Sequence, residues 1–600
     1  MLKAHFGVPQ PTQKKVIRSD QLILAGLNPL TSPIPTRKDK FIDTILISNP
    51  LVPIVSDCTD RLDIITHPDL ESDHIPIGCT IPTAPTVNNR LVWNLKNADW
   101  DSYRKTLHTS LHNWKPTESP TKMALQLTFF INHAALKHVG KRPLSVFRKK
   151  SWWSKRLQRL KDCFKAAKKR HARQQTSFSA RHLASQKRDY LSAVETAKDK
   201  FWNNTVQRLN SGGDKEFYRL YRRTTSPSRP VFPPILDPQT DCYVSGNNAA
   251  TTFANTFASA AMKPNINPHI LQMVNTTQEE ICCDDSHSPF PATVFTIANI
   301  VKNLGVNKAF GPDDIHTRFI KEGGPPLITA IYCLLKCSWD NRCFPTNWKL
   351  GYISPIPKTQ KPTSDPKDYR PIALLNIIGK IYEKILTNAL TQFTENKGFI
   401  SPLQAGFQPM RDCQEQILRL HEDILTSFEY RGATDAIFLD ISKAYDSVWH
   451  EGLIHKLRDL GVQGNLIHIL VDFLYDRRYM VRTQSGSSSW TNFSQGVLQG
   501  SPISPLLFII FINDLTDLLN SLPLVKISLF ADDVALWTSP PPINSTTAQA
   551  KHHYFQARSQ LRTALNLVQL WSDNWRMTFS HSKTKHVHFT HAKIGPPPST

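Results

Sequence analysis

The stretch LFADDVALW, residues 529–537, sets two adjacent aspartates, Asp532 and Asp533, between two apolar runs. Extended on both sides it reads KISLF-ADD-VALWT, a β-hairpin with the aspartates at its tip. A solvated turn is the ordinary fate of such a pair, because Asp tolerates turns and hydrogen-bonds its own backbone. The alternative is a cation site, since hard divalent ions take carboxylate oxygens and strand ends hold them rigidly. A third carboxylate decides between the two. DAIFLDISKAYDSVWHEGLIHKL, from Asp435, opens as a β run and changes to helical spacing after Ser442, so Asp440 stands where a strand ends. If these strands are neighbours, Asp440 meets Asp532 and Asp533 at one sheet edge. Three carboxylates so close do not all stay charged without cations. Two Mg²⁺ ions about 4 Å apart, or Mn²⁺ in their place, satisfy them while activating a 3′-hydroxyl and stabilising a leaving pyrophosphate. The pattern points to metal-held phosphoryl transfer and leaves open which polymer is made.

The bulk properties agree with a polyanionic partner. The chain has 600 residues, enough for several domains, and a net charge of +23 with a pI near 9.5. Ten cysteines lie scattered without a CxxC pair, as in a reduced intracellular chain rather than a disulfide framework. Cys282, Cys283 and His287 in ICCDDSH lack a second ligand pair at zinc spacing and read as incidental. The N-terminus MLKAHFGVPQ has no apolar signal core. The greasiest run, LLFIIFI at 506–512, falls far short of the roughly 20 residues that span a bilayer. No membrane is expected as a partner, and no stable protein partner can be inferred.

Along the chain, FIDTILIS, PLVPIV, RLDIITH and IPIGCTI make residues 41–80 a series of strands. Residues 81–140 read as a mixed, partly helical connecting segment. A basic stretch, 141–225, follows and is expected to be mostly helical from Ser151 to about Arg223. Its first part, KRPLSVFRKKSWWSKRLQRLKDCFKAAKKRHAR, sets fourteen lysines and arginines against Asp162 alone. Arg148, Lys149, Lys150, Lys155 and Arg156 are candidate phosphate contacts. Trp152 and Trp153 either stack on bases or pack against a neighbouring helix. TTSPSRPVFPPILDP then reads as a Pro-rich linker, residues 245–290 are poorly patterned, and 226–290 is expected to be a Pro-rich, irregular linker. From about Phe295 to Phe589 the texture is α+β, with no internal repeat.

Three motifs in order, FLDISKAYDSV, GVLQGSPISPLLF and LFADD, resemble the reverse transcriptases of LINE-type (non-long-terminal-repeat) retrotransposons, nearest the jockey-like group. NKAFGPDDI, ISPIPK…DYRPIALLNIIGKIYEKIL and QAGFQPMRDCQEQIL upstream, and WRMTFSHSKTKHVHF downstream, match the same family. The resemblance spans about 295–589 and implies a right-hand polymerase with palm and fingers in residues 291–600. It implies RNA template, DNA primer and target, and dNTPs as partners, and a ribonucleoprotein of nucleus and cytoplasm. Asp440, Asp532 and Asp533 match the catalytic metal ligands, Asp533 being the least direct if strand alternation turns it away. Tyr445 matches the ring that leaves no room for a 2′-hydroxyl. Gln499 matches the residue beside the nucleotide. Gly500 permits a close approach, and Ser501 with Pro502 opens the next helix. Lys358 and Arg370 match the fingers' triphosphate contacts, Arg by its planar fork, and Lys583 matches a lysine proposed to protonate the pyrophosphate. Leu498 and Phe310 stand where the family usually has Pro, and Gln408 where it has Arg, a change expected to weaken a contact to template or fingers. The chain stops at HAKIGPPPST, so the thumb is expected to be missing.

IDxxLIS and SDHxPI in the first eighty residues resemble the C-terminal end of the exonuclease-endonuclease-phosphatase fold, an α/β sandwich. There His74 would act as base or transition-state stabiliser, Asp43 would orient it and Asp73 would sit by a metal. The family's earlier Asn, Glu and GDFN-type motifs have no match, so an inactive remnant of residues 1–80 is expected. The reading is an RNA-directed DNA polymerase palm and fingers, preceded by a basic helical linker and an endonuclease tail. The rival reading is a decayed, non-catalytic remnant that only binds nucleic acid. KAYDSVWHEGL and the endonuclease tail argue against an intron maturase or an RNA-dependent RNA polymerase.

Overall fold

The computed structural model describes residues 91–143, 152–225, 233–259 and 267–591, apart from 307, 360, 361 and 543, and along 208–225 the helix backbone alone. Before residue 91 it describes four strands by their backbone: Leu27–Thr31 paired with Thr44–Ser48, and Ile64–Thr66 paired with Ile77–Cys79, both antiparallel. Three of the four expected runs between 41 and 80 thus contain a strand. The run 50–55, the residues Asp43, Asp73 and His74, and the basic residues Arg148, Lys149 and Lys150 lie outside the described residues.

Two compact units divide the chain. One takes Asn89–Tyr103 and Ala135–Phe232. Its body is a helical hairpin, α1 (Lys155–Gln174) and α2 (Ser177–Thr225). Ser154 starts α1 because its hydroxyl accepts from the Leu157 N–H at 3.2 Å. Gln175, left-handed at φ 44°, ends it, with its N–H on the His171 carbonyl. Buried Ser179 pins the bend, its Oγ 2.9 Å from His171 Nδ1. Leu157 and Ala167 are buried, and Phe164 stacks on Tyr190 with centroids 5.9 Å apart. The helix expected from Ser151 to about Arg223 is therefore a hairpin.

The described part of the other unit is built on 104–134 and 233–591. This corrects two expected boundaries. Residues 104–134 do not merely connect: Asn132 Nδ2 donates to the Asp313 carbonyl at 2.8 Å, and His108 Nε2 lies 2.9 Å from the Gly323 carbonyl. The stretch 226–290 is not irregular throughout, because Ile235–Asp237 pairs with Cys242–Val244, and Gly246–Ala258 and Pro268–Cys282 are helices. The Asn, Thr and Pro content of that region masks Ala249, Phe253 and Phe257, which recur at one-turn spacing and are all buried.

Eight strands form the two four-stranded sheets of this unit: β1 (Leu350–Pro357), β2 (Tyr369–Leu374), β3 (Ala433–Asp440), β4 (Arg478–Val481), β5 (Thr491–Asn492), β6 (Val525–Phe530), β7 (Asp533–Thr538) and β8 (Lys585–Thr590). One sheet, the fingers, runs β2-β1-β4-β5, and the other, the palm, runs β6-β7-β3-β8 with every pair antiparallel. Alternation along β3 sends Asp435, Ile437 and Leu439 to one face and Ala436, Phe438 and Asp440 to the other. Four helices matter to the site: α3 (Ile377–Asn396), α4 (Cys413–Glu429), α5 (Ser504–Ile512) and α6 (Thr547–Asn574). α6 covers the first palm face, where Tyr554 donates to Asp435 Oδ2 at 2.6 Å. α4 covers part of the second, where Trp537, opposite Ala436, donates to Asp423 Oδ2 at 2.7 Å. α5 holds LLFIIFI and is apolar all round, the pattern of a core helix, with every residue but Pro505 buried. Among the described residues no helix is long and apolar enough to cross a membrane.

Candidate active site

β6 and β7 form the expected hairpin, with Phe530 opposite Asp533 and a two-residue turn, Ala531–Asp532. β7 also pairs with β3, and the register sets Asp440 directly opposite Asp533. Directly opposed residues share a face, so strand alternation does not turn Asp533 away from Asp440 as expected. Asp532 belongs to no strand and reaches the site from the turn. Partial burial, then repulsion from Asp440, lifts Asp532 above the ordinary carboxylate range, while Lys583 and Arg370 pull it down. Asp533 is lifted likewise, by desolvation and then by Asp532 and Asp440. The three charges therefore act on one another. Lys583 Nζ sits 2.8 Å from Asp440 Oδ2 and balances part of that charge. As the side chains stand, no three His, Cys, Asp or Glu among the described residues converge closely enough to hold a metal ion.

The turn is held from outside by a segment whose role the sequence reading missed. Buried Gln404 accepts on Oε1 from the Ala531 N–H at 3.0 Å and the Gly406 N–H at 2.8 Å. Ala405 N–H donates to the Leu529 carbonyl at 2.9 Å, and Leu529 N–H to the Leu403 carbonyl at 3.0 Å. QAGF is thus a clamp on the hairpin that carries Asp532. A signal existed: Gln and Gly inside an otherwise apolar motif suggest a backbone needing a donor pair satisfied and a close approach.

Tyr445 lies on a 3₁₀ turn, Ala444–Ser447, with its ring stacked on Phe508 at a centroid distance of 5.0 Å. Burial raises its phenol, and the Asp532 charge adds to the rise. The next residue, Asp446, was also missed. Its carboxyl is pushed up to about 6 by burial, against Lys443 and Lys358, and accepts from Gln499 Nε2 at 3.4 Å. Gly500 does permit a close approach, but to the fingers' backbone: it has φ +119°, and a Cβ there would lie 2.6 Å from the Ala373 carbonyl oxygen. Ser501 and Pro502 do not open the next helix. The Ser501 hydroxyl is taken by buried Glu383 of α3, and α5 begins at Ser504 with Pro505 in its first turn.

Lys358 follows the end of β1, its Nζ on the Lys367 carbonyl at 2.7 Å. Arg370, opposite Ile356, is exposed on β2 and acts electrostatically on Asp532. The face bearing Asp440 and Asp533 opens on a cleft of about 380 Å³ walled by Ile417, Leu420, Phe438 and Phe530. In the other unit, Lys198 lies 5.7 Å from the Trp152 ring centroid and Lys161 5.3 Å from that of Trp153. Each indole is half-buried and has a lysine of its own hairpin over its ring.

An antiparallel palm with aspartates at paired strand ends, beside a fingers sheet that carries Arg370 on β2 and Lys358 just past the end of β1, has the arrangement of a nucleic-acid polymerase. Residues 356–595 match the model of the reverse transcriptase (RNA-dependent DNA polymerase) family. The chain is 26% identical over 561 residues to the probable RNA-directed DNA polymerase from transposon BS of Drosophila melanogaster, covering 90% of this chain and 59% of that protein. It is 30% identical over 332 residues to the probable RNA-directed DNA polymerase from transposon X-element of the same organism, covering 55% and 35%. It is 29% identical over 304 residues to the RNA-directed DNA polymerase from mobile element jockey, also of D. melanogaster, covering 50% and 32%. Over the matched segment the chain is thus similar to the reverse transcriptase family, and among its relatives are the RNA-directed DNA polymerases of transposon BS, the X-element and mobile element jockey. The chain spans between about a third and three fifths of the length of these relatives.

Proposed function

We propose that this chain carries out RNA-directed DNA synthesis for a LINE-type retrotransposon, adding deoxynucleotides to a primer 3′-hydroxyl. The observation that carries the proposal is the register of Asp440 on Asp533 with Asp532 in the adjoining turn. Three mutually repelling carboxylates are a donor set suited to hard divalent cations, and Asp440, Asp532 and Asp533 would hold them. Bound there, Mg²⁺ supplies the charge that eases 3′-hydroxyl deprotonation and pyrophosphate departure. The residues do the rest. Tyr445, fixed on Phe508, supplies the flat surface against which a ribose 2′-hydroxyl would collide. Gln499, restrained by Asp446, faces the nucleotide pocket. Lys358 and Arg370 offer cations to the triphosphate, and Lys583 exchanges its Asp440 partner for phosphate charge.

Primer extension on poly(rA)/oligo(dT) with Mg²⁺ tests this. D440N or D532N should cut incorporation by about a hundredfold or more, the scale of losing a preorganised charge contact, with thermal unfolding little changed. Activity within twofold of the parent in either variant would sink the assignment. A folded parent that binds primer–template but incorporates nothing would favour the non-catalytic remnant.

A further inference from the structure

We infer that the outer face of α1 is a binding surface for the sugar–phosphate backbone of single-stranded nucleic acid, independent of the polymerase reading. The chain's net charge of +23 is unevenly spread. In its twenty residues α1 holds nine lysines and arginines against Asp162 alone. Lys155, Arg159, Lys169, Arg170 and Arg173 project away from the side that carries Leu157 and Ala167, and all five are exposed. Among the described residues none of the five has an acidic partner. The one acid on the helix is already engaged, accepting from Gln158 at 3.0 and 3.2 Å.

Geometry selects the partner. From Lys155 to Arg173 the row runs about 27 Å along the axis, long enough to follow several consecutive phosphates. Unpaired like charges on one face repel each other, and a polyanion relieves that repulsion while releasing its own counterions. An anionic membrane suits the surface poorly. An interfacial helix buries a free apolar face opposite its cations, whereas on the apolar side of α1 Leu157 and Ala167 are already buried and Phe164 stacks on Tyr190 of α2. Trp152 and Trp153 precede α1 and stand outside the row of cations, each with a lysine of the hairpin over its ring. The surface therefore reads phosphates and not bases, and sequence preference should be weak.

The test is a salt titration of full-length protein binding to labelled oligo(rU), oligo(dT) and anionic phospholipid vesicles. The variant is K155Q/R159Q/K169Q/R170Q/R173Q, chosen because Gln is a good helix former, with helix content checked by circular dichroism. A single-strand contact contributes about 0.7 to the log–log salt slope. The variant should lose up to about 3.5 from the slope, and about tenfold or more in affinity at moderate salt. Oligo(rU) and oligo(dT) should lose alike; a larger loss for RNA would still support the surface and add a 2′-hydroxyl contact. A variant that keeps the parent's slope and affinity overturns the inference. So does one that loses only vesicle binding.

Discussion

At the scale of single residues, burial decides charge more than sequence context does. Asp313 stands in NKAFGPDDI, beside a second acid, Asp314. Asp313 keeps some exposure overall, yet its carboxyl oxygen Oδ2 is shut away from water and has no hydrogen-bond partner. Burial raises its pKa to about 7, against a backbone bond from Ile315 and the distant pull of Lys380. A carboxyl that ionises near 3.9 when unfolded and near 7 when folded binds its proton more tightly in the native state. Its contribution to stability is fully present below the unfolded value and is lost as pH rises towards 7. Asp313→Asn cannot ionise and escapes that loss. The variant should therefore gain on the parent as pH climbs from 4 to 8, by up to about 4 kcal/mol. Thermal melts of both proteins across that range check it. A stability difference that does not change with pH would mean Asp313 ionises normally. The comparison must be made as a difference, because Asp446, Asp532 and Asp533 are raised as well.

At the scale of elements, the hairpin that carries Asp532 is shaped by its neighbours. Ala531 has φ 55°, a left-handed value unusual for alanine. It is held there by Gln404 from one side and by strand pairing from the other. Gly406 leaves no room for change: a Cβ would lie 2.2 Å from the Ala531 backbone nitrogen. Gly406→Ala should push the turn and displace Asp532, and a shift of about 1 Å at reacting groups costs roughly a hundredfold in rate. Primer extension should fall on that scale while the protein still melts cooperatively. Gly305→Ala, where the added atom would meet only the flexible Lys308 side chain, serves as control. Equal activity in the two variants would remove Gly406 from the site. The β-hairpin, the strand ending at Asp440 and the helical character of 155–225 were legible in the sequence, because each depends on local pattern; the turn after Gln174 that pairs the two helices was not. Nor was the register of the strands, since pairing is settled between distant segments. Gln404 and Asp446 escaped for the same reason: what they do is defined by Ala531 and Gln499, residues far along the chain. Ser501 was misread because the Pro that follows it resembles a helix start, while its hydroxyl answers to Glu383 of α3.

At the scale of the whole molecule, the two units differ in what holds them. Among the described side chains of the hairpin at 155–207, only Leu157, Ala167, Ser179 and Thr205 are buried. The palm unit encloses Tyr382, Phe508, Phe511 and Trp537 almost completely. Apolar burial is the main favourable term in folding, so the two units should open with different free energies. Hydrogen exchange reads this directly. Amides in α1 and the described part of α2 should exchange early through local opening, and those of β3, β6, β7 and α5 last, through global unfolding. The charge of α1 then adds a second expectation. A ligand that binds only the closed form stabilises it by about 2.7 kcal/mol at a hundredfold excess over Kd, which slows exchange roughly a hundredfold. Oligo(rU) at that excess should protect 155–174 while leaving β6 and β7, already slow, little changed. Uniform protection across both units without ligand would show that they unfold as one. Protection by RNA confined to the palm would show that the cations of α1 are spectators.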